Sequence, residues 1–99
     1  MINLENKYLD MVNNILVQNL KDKPEIFVYG SRAKGTQKQY SDLDIAINQK
    51  IDNNVLYKLK DDFSESMLPI FVDILIIPNT EQYFLDLIKN DFIELKYTN

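Results

Sequence analysis

The sequence predicts a small α/β fold of the α+β kind, in which a mixed sheet of three to four strands carries helices mainly on one face. Stretches with helical spacing of apolar residues alternate along the chain with short β-branched and aromatic runs. The length of 99 residues, with 45% hydrophobic and 26% charged residues, allows one hydrophobic core. We therefore expect a single domain over residues 1–99.

The first half of the chain predicts one helix and two strands. The first twenty residues place apolar side chains at helical spacing, and the run KDKP at 21–24 ends the pattern with a proline. The run EIFVY at 25–29 is typical of a buried strand and stops at Gly30. The run SDLDIAIN at 41–48 begins with strict alternation of polar and apolar residues, which indicates a second strand.

The second half predicts a helix, a strand and another helix. Apolar residues at helical spacing run from Asn53 to Ser66, and the run PIFVDILIIP at 69–78 is a strand bracketed by prolines. Asn79 or Thr80 is expected to cap a last helix. The tail FIELKY at 92–97 fits either a helix or a short edge strand.

Composition excludes several classes of function. The net charge of −4 and the pI near 4.7 argue against charge-driven binding to nucleic acid or an anionic membrane. The chain has neither cysteine nor histidine, so catalysis must use carboxylates, hydroxyls, lysines and backbone groups. Neither the start MINLENKYLD nor the apolar run LPIFVDILIIP suits a signal peptide or a membrane span, and we expect a cytoplasmic protein.

The run GSRAKG at 30–35 contains both glycines and the only arginine of the chain. A strand that ends in Gly-Ser before a helix presents backbone N–H groups and a hydroxyl to a phosphate. Gly30 permits close approach, Ser31 either caps the helix or donates to a phosphate oxygen, and Arg32 and Lys34 add positive charge. The alternative is a plain glycine turn with an N-cap serine, and for Arg32 an ordinary surface ion pair. A P-loop is excluded because no lysine follows the second glycine.

Three aspartates form the second candidate group. Asp42 and Asp44 are two residues apart on a predicted strand, so their side chains share a face, with Cα atoms roughly 6.6 Å apart. Asp73 is the one acidic residue in the apolar run IFVDILII, and it lies at an exposed strand edge, pairs with a cation or joins a metal site. All three can hold two Mg²⁺ ions, whereas a D-x-D alone is also typical of a solvated strand end. Ser41 is expected to cap or orient the loop before Asp42.

These motifs resemble a known signature. GSRAKG, five residues, then SDLDIAI resembles the glycine-serine and D-x-D signature of the DNA polymerase beta-like nucleotidyltransferase superfamily, and FVDIL resembles its third carboxylate strand. The resemblance covers about residues 25–78 and implies the nucleotidyltransferase fold. The short length and the GSRAKG/SDLD variant resemble the minimal nucleotidyltransferases, abbreviated MNT, which are the antitoxins of HEPN/MNT toxin–antitoxin modules.

The resemblance implies an activity and a partner. An MNT protein transfers AMP from ATP to a tyrosine of a HEPN ribonuclease toxin and silences it, so a hetero-oligomer with such a toxin is expected. Asp42 and Asp44 then bind both Mg²⁺ ions, while Asp73 binds the catalytic ion and helps to remove the proton of the acceptor hydroxyl. Gly30 and Ser31 hold the β and γ phosphates.

Two other functions are consistent with the same residues. The protein could neutralise a partner by covering it, with catalysis secondary. It could also modify a small hydroxylated molecule such as an aminoglycoside, whose pocket a dimer would have to supply. The tyrosines near the motifs, Tyr29 and Tyr40, are interpreted as core and rim residues.

Overall fold

A mixed sheet organises the chain, and the computed structural model describes residues 1–97. The helices are α1 (Asn6–Asn19), α2 (Ser31–Lys34), α3 (Asn53–Ser64) and α4 (Gln82–Ile88). The strands are β1 (Ile26–Tyr29), β2 (Leu43–Ile47), β3 (Val72–Ile76) and β4 (Ile93–Glu94). Two short 3₁₀ turns cover Ile77–Asn79 and Lys89–Asp91.

The strand order is β3-β2-β1-β4. Strand β1 runs antiparallel to both β2 and β4, whereas β2 and β3 are parallel and are connected through α3. This four-stranded mixed sheet confirms the predicted fold class. Strand β2 lies inside the sheet, so its residues from Asp44 to Ile47 have a register partner on both neighbouring strands.

The hydrophobic core lies between the sheet and helices α1 and α3. Leu43, Ile45 and Ile47 of β2 are fully buried and belong to one cluster with Leu16 of α1 and Leu59 of α3. The side chains that alternate with them face the other side of the sheet. The helices thus cover mainly one face, and the polar residues of β2 and β3 are left on the opposite one.

The opposite face is partly covered by the C-terminal segment. Phe92 stacks on Phe27 of β1, with ring centroids 4.8 Å apart, and lies 6.1 Å from the ring of Tyr29. The ambiguous tail is therefore an edge strand, because Phe27 and Val28 pair with Glu94 and Ile93. On β1 this cover reaches Tyr29, and the aspartates lie on the next two strands, β2 and β3.

Element boundaries differ from the sequence predictions at β3 and α4. Strand β3 begins at Val72 because the residues around Pro69 form a bend. The N-cap of α4 is Glu81, so the prediction of Asn79 or Thr80 is wrong. Pro78 favours a 3₁₀ turn there, and the Thr80 hydroxyl donates to the Ile76 carbonyl at 2.8 Å instead of capping a helix.

No helix within residues 1–97 combines the length and the apolar character needed to cross a membrane.

Candidate active site

A row of polar side chains crosses the sheet on the face away from α1 and α3. Tyr29 of β1 is the register partner of Asp44 of β2, and Asp44 is the register partner of Asp73 of β3. Adjacent strands are about 4.8 Å apart, so the two carboxylates stand side by side. Since β3 is the edge strand, Asp73 is exposed, while Asp44 in the centre is half-buried.

Asp42 completes the acidic group from just outside the strand. It precedes the first residue of β2, Leu43, and its side chain is exposed. The backbone there joins β3, because the Leu43 N–H donates to the Phe71 carbonyl at 2.9 Å. Asp42 therefore lies next to the first residues of β2 and β3, close to Asp44 and Asp73.

The three aspartates act on one another electrostatically. Burial raises the pKa of Asp44, and the negative charges of Asp73 and Asp42 raise it further. This is the behaviour of like charges that converge without a counterion. A divalent cation would relieve the repulsion, so the donor set fits a hard cation such as Mg²⁺ that prefers carboxylate oxygens. Within residues 1–97, no group of three or more acidic side chains is already arranged as a complete metal site.

Gly30 brings the backbone against the central carboxylate. Its φ of 74° and ψ of −153° belong to a region that is essentially restricted to glycine. A Cβ at this position would collide with the Oδ2 atom of Asp44 and lie 3.4 Å from its Cγ. Because Gly30 has no side chain, its backbone can pack directly against the Asp44 carboxylate.

Helix α2 is a single turn that follows this glycine. Gly30 is the N-cap residue, and its carbonyl accepts from the N–H groups of Ala33 and Lys34 at 3.1 and 3.0 Å. Gly30 occupies the N-cap position and Ser31 is the first residue of the helix, so Ser31 is not the N-cap. Phosphate binding by its hydroxyl stays a prediction. One turn has little macrodipole, so any phosphate binding at α2 must rest on individual N–H groups and this hydroxyl.

The positive charges predicted beside the turn are both engaged elsewhere in the structure. Arg32 is buried, and its guanidinium donates to backbone carbonyls, among them that of Ser41 at 3.0 Å. Lys34 is exposed and lies 3.6 Å from the Asp91 carboxylate. The hydroxyl of Ser41 accepts from the Lys38 N–H at 2.8 Å, which fixes the loop before Asp42.

Tyr29 is a neighbour of the carboxylates that sequence reasoning assigned only to the core or rim. Its side chain is buried, and its pKa is raised to about 12 by burial first and then by the charges of Asp44 and Asp73. The phenol therefore stays protonated near neutral pH and forms one wall of the row. Only the antiparallel pairing of β1 with β2 shows this, because the sequence places Tyr29 and Asp44 in separate motifs.

Comparison with known proteins gives the chain a family. Residues 9–97 match the family model described as "Nucleotidyltransferase domain". A relative from Haemophilus influenzae named "Probable protein adenylyltransferase MntA" is 35% identical over 97 residues, which cover 96% of this chain and 84% of the relative.

Solved structures share the fold. A crystal structure described as a toxin-antitoxin with AMP-PNP superposes with a TM-score of 0.75 at 24% identity, over 92% of this chain and 74% of the other. A mutant of the toxin-antitoxin MntA-HpeT gives a TM-score of 0.73 at 22% identity, over the same shares of the two chains. The family match over residues 9–97 and the 35% identity to the relative show that the chain belongs to the nucleotidyltransferase domain family.

Proposed function

We propose that this protein is an antitoxin that transfers AMP from ATP to a hydroxyl group, a tyrosine, of a cognate HEPN ribonuclease toxin. The observation that carries the proposal is the placement of Asp44 beside Asp73 and against Gly30. This joins a carboxylate pair to a turn that a triphosphate can approach closely. The relative named as a protein adenylyltransferase supports a protein acceptor, and the toxin–antitoxin structures support a toxin as the partner.

The reaction assigns a task to each group. The acceptor oxygen attacks the α-phosphorus of ATP, the bond from that phosphorus to the bridging oxygen breaks, and pyrophosphate leaves with the bond electrons. Asp73, which is exposed at the sheet edge, takes up the hydroxyl proton. Gly30 and Ser31 hold the β and γ phosphates through the backbone and the free hydroxyl.

The resemblance to the nucleotidyltransferases implies two Mg²⁺ ions. Asp42, Asp44 and Asp73 would hold them. When bound, Mg²⁺ supplies positive charge to the triphosphate and to the leaving group. Burial and then the negative charges of Asp73 and Asp42 raise the pKa of Asp44, and this concentration of negative charge supports a cation at the site. We assign Asp42 and Asp44 to both ions and Asp73 to one.

The site has few walls of its own. Asp42 and Asp73 are exposed, and the one cavity of about 550 Å³ beside the N-terminal segment and Arg32 is lined by none of the three aspartates. An open site leaves a bound triphosphate in contact with water. A partner surface that closes over it and holds a hydroxyl in line would complete it.

The test is intact-mass spectrometry of this protein mixed with a HEPN-type toxin from the same genome, in the presence of ATP and Mg²⁺. We expect the partner to gain mass in AMP-sized steps, on a tyrosine identified by peptide mapping, and the isolated protein to label itself little. Asp42→Asn should abolish the gain. If the partner is neutralised but its mass never changes, the protein acts by binding alone. Labelling of a small hydroxylated compound in place of the partner would make that compound the substrate.

A further inference from the structure

Arg32 is the one buried charged side chain within residues 1–97, and its bonds run only to carbonyl oxygens. Its Nε donates to Ser41 at 3.0 Å, and its Nη1 donates to Asn3 at 2.9 Å. Its Nη2 donates to Gln39 at 3.2 Å and to Lys38 at 3.4 Å. The guanidinium therefore joins the N-terminal segment to the loop that leads into β2.

This contact fixes the residue before Asp42. Ser41 is held by Arg32, and the residue after Asp42, Leu43, is held by its hydrogen bond to Phe71 at 2.9 Å. The backbone of Asp42 is thus anchored on both sides, although its own side chain is exposed. Without the arginine contact, the loop over residues 38–41 would keep the hydrogen bond from the Lys38 N–H to the Ser41 hydroxyl and the one from the Ser41 N–H to the Lys38 carbonyl.

The geometry requires arginine in particular. A guanidinium presents five N–H groups in a planar fork, which can reach carbonyls in three directions at once. A lysine ammonium in the same place keeps the charge but cannot span these acceptors from one point. Moving Arg32 toward a phosphate would leave the carbonyls of Ser41 and Asn3 without this donor in a partly buried setting.

We propose that Arg32 is a positioning residue, which sets the location of Asp42 by bracing the loop before it, and that it does not bind the triphosphate. The inference about the reaction rests on the proposed function, whereas the bracing of the loop is a property of the isolated chain. The N-terminal segment takes part, because the Asn3 N–H and its Nδ2 both donate back to the Arg32 carbonyl, at 2.8 and 2.9 Å.

The unaltered protein gives the first test. Arg32 is the only arginine of the chain, so a ¹⁵N-correlated NMR spectrum contains a single arginine side-chain Nε–H signal. We expect that signal to exchange slowly with solvent, and to keep its shift and protection when Mg²⁺ and AMP-PNP are added. Fast exchange in the free protein would overturn the bracing role. A large shift on nucleotide binding would show that the guanidinium moves to the phosphates.

The second test uses Arg32→Lys, with Asn3→Ala as the matched control that removes a side-chain bond at the same junction but spares the guanidinium. In metal-free Arg32→Lys, amides 38–43 should exchange about ten-fold faster, as expected when local stability falls by one hydrogen bond. Amides of α1 and α3 should change little in either variant. Unchanged exchange at 38–43 would refute the bracing role.

Kinetics then separate positioning from phosphate binding. Arg32→Lys should raise the Mg²⁺ concentration needed for half-maximal transfer by about ten-fold, the scale seen for groups that orient metal ligands. Its affinity for AMP-PNP at saturating Mg²⁺ should stay close to that of the unaltered protein. Loss of AMP-PNP affinity with an unchanged Mg²⁺ midpoint would identify a phosphate ligand instead. If the unaltered protein transfers nothing, the proposed function fails, while the exchange measurements still decide whether Arg32 braces the loop.

Discussion

Asp44 is half-buried between two other carboxylates, so its charge opposes folding while it serves the proposed chemistry. Because its pKa is raised in the folded protein, the folded state binds its proton more tightly than the unfolded state does. The ionised group therefore lowers the free energy of unfolding as pH rises above the pKa of an unfolded aspartate, about 3.9.

Asp44→Asn should make the metal-free protein as stable as the unaltered one or slightly more so at neutral pH. The rise in Tm should be no more than about 4 °C, and it should disappear at pH 3, where both proteins are neutral at this position. The measurement is thermal unfolding in a chelator at both pH values, with Asp10→Asn as a control for charge on an exposed side chain. Transfer should be abolished, and full activity of the variant would contradict the metal-site assignment.

Gly30 and Gly35 allow a matched comparison at the turn. Both have positive φ, but a Cβ on Gly30 collides with the Asp44 carboxylate, whereas the nearest atom to a Cβ on Gly35 is 3.8 Å away. Gly35→Ala should cost about 1 kcal/mol in the free energy of unfolding and keep activity. Gly30→Ala should cost about 1–3 kcal/mol and also lose transfer, because Asp44 must move.

Denaturant unfolding and the transfer assay check this pair. Equal activity of the two variants would show that the contact between Gly30 and Asp44 is not needed for function. Both variants strain the backbone, and Gly30→Ala strains it more because its φ and ψ belong to the region restricted to glycine. Only Gly30→Ala displaces the carboxylate, so the loss of transfer, and not the loss of stability, reports that displacement.

At the scale of elements, a small polar cluster ties α1 to α3 outside the core. Asp62 of α3 accepts from Lys58 at 2.8 Å and from Asn19 of α1 at 2.9 Å. The hydrogen bond from Lys58 first, and then that from Asn19, lowers the pKa of Asp62. Its contribution to stability is therefore present above the pKa of an unfolded aspartate and is lost as pH falls through the folded value.

Asp62→Asn should lower Tm by a small amount at neutral pH, and this loss should shrink as pH falls toward 2. The effect is small because the pair is solvent-accessible and screened by salt. Asp61→Asn removes the same charge one residue earlier, from an exposed side chain, and should leave Tm nearly unchanged. A difference between the two variants that persists at pH 2 would assign the loss to packing and not to the ion pair.

At the scale of the whole molecule, the apolar side chains range from fully buried in one core to largely exposed on the surface. Leu16 is fully buried, whereas Phe71 is 81% exposed although it is larger. Leu16→Ala should cost about 2–5 kcal/mol in the free energy of unfolding, and Phe71→Ala should cost almost nothing. Denaturant unfolding measures both, and a large cost for Phe71→Ala would show that it packs against the core in solution.

The local sequence determined the elements and the chemical groups. Helical spacing, β-branched runs and the glycine-serine turn give α1, α3, β1 and β2 nearly where they lie. The predicted mixed sheet with helices mainly on one face is confirmed, because alternation along β2 already separates Leu43 and Ile45 from Asp44. The predicted boundaries were wrong near the two prolines. A 3₁₀ turn at Pro78 precedes α4, and a bend around Pro69 places the start of β3 at Val72.

Only the tertiary structure decided which groups meet. The pairing of Asp44 with Asp73 depends on the parallel register of β2 and β3, which are separated by α3, and no local pattern encodes that register. The burial of Arg32 is likewise non-local, since its acceptors lie on the N-terminal segment and the loop before Asp42, and sequence alone gives a charged residue no reason to be inside. Local conformational preferences determine which segments form helices and strands. Strand register and burial depend on how the whole core packs. In this protein, that packing places Asp44 beside Asp73 and Arg32 against the loop before Asp42.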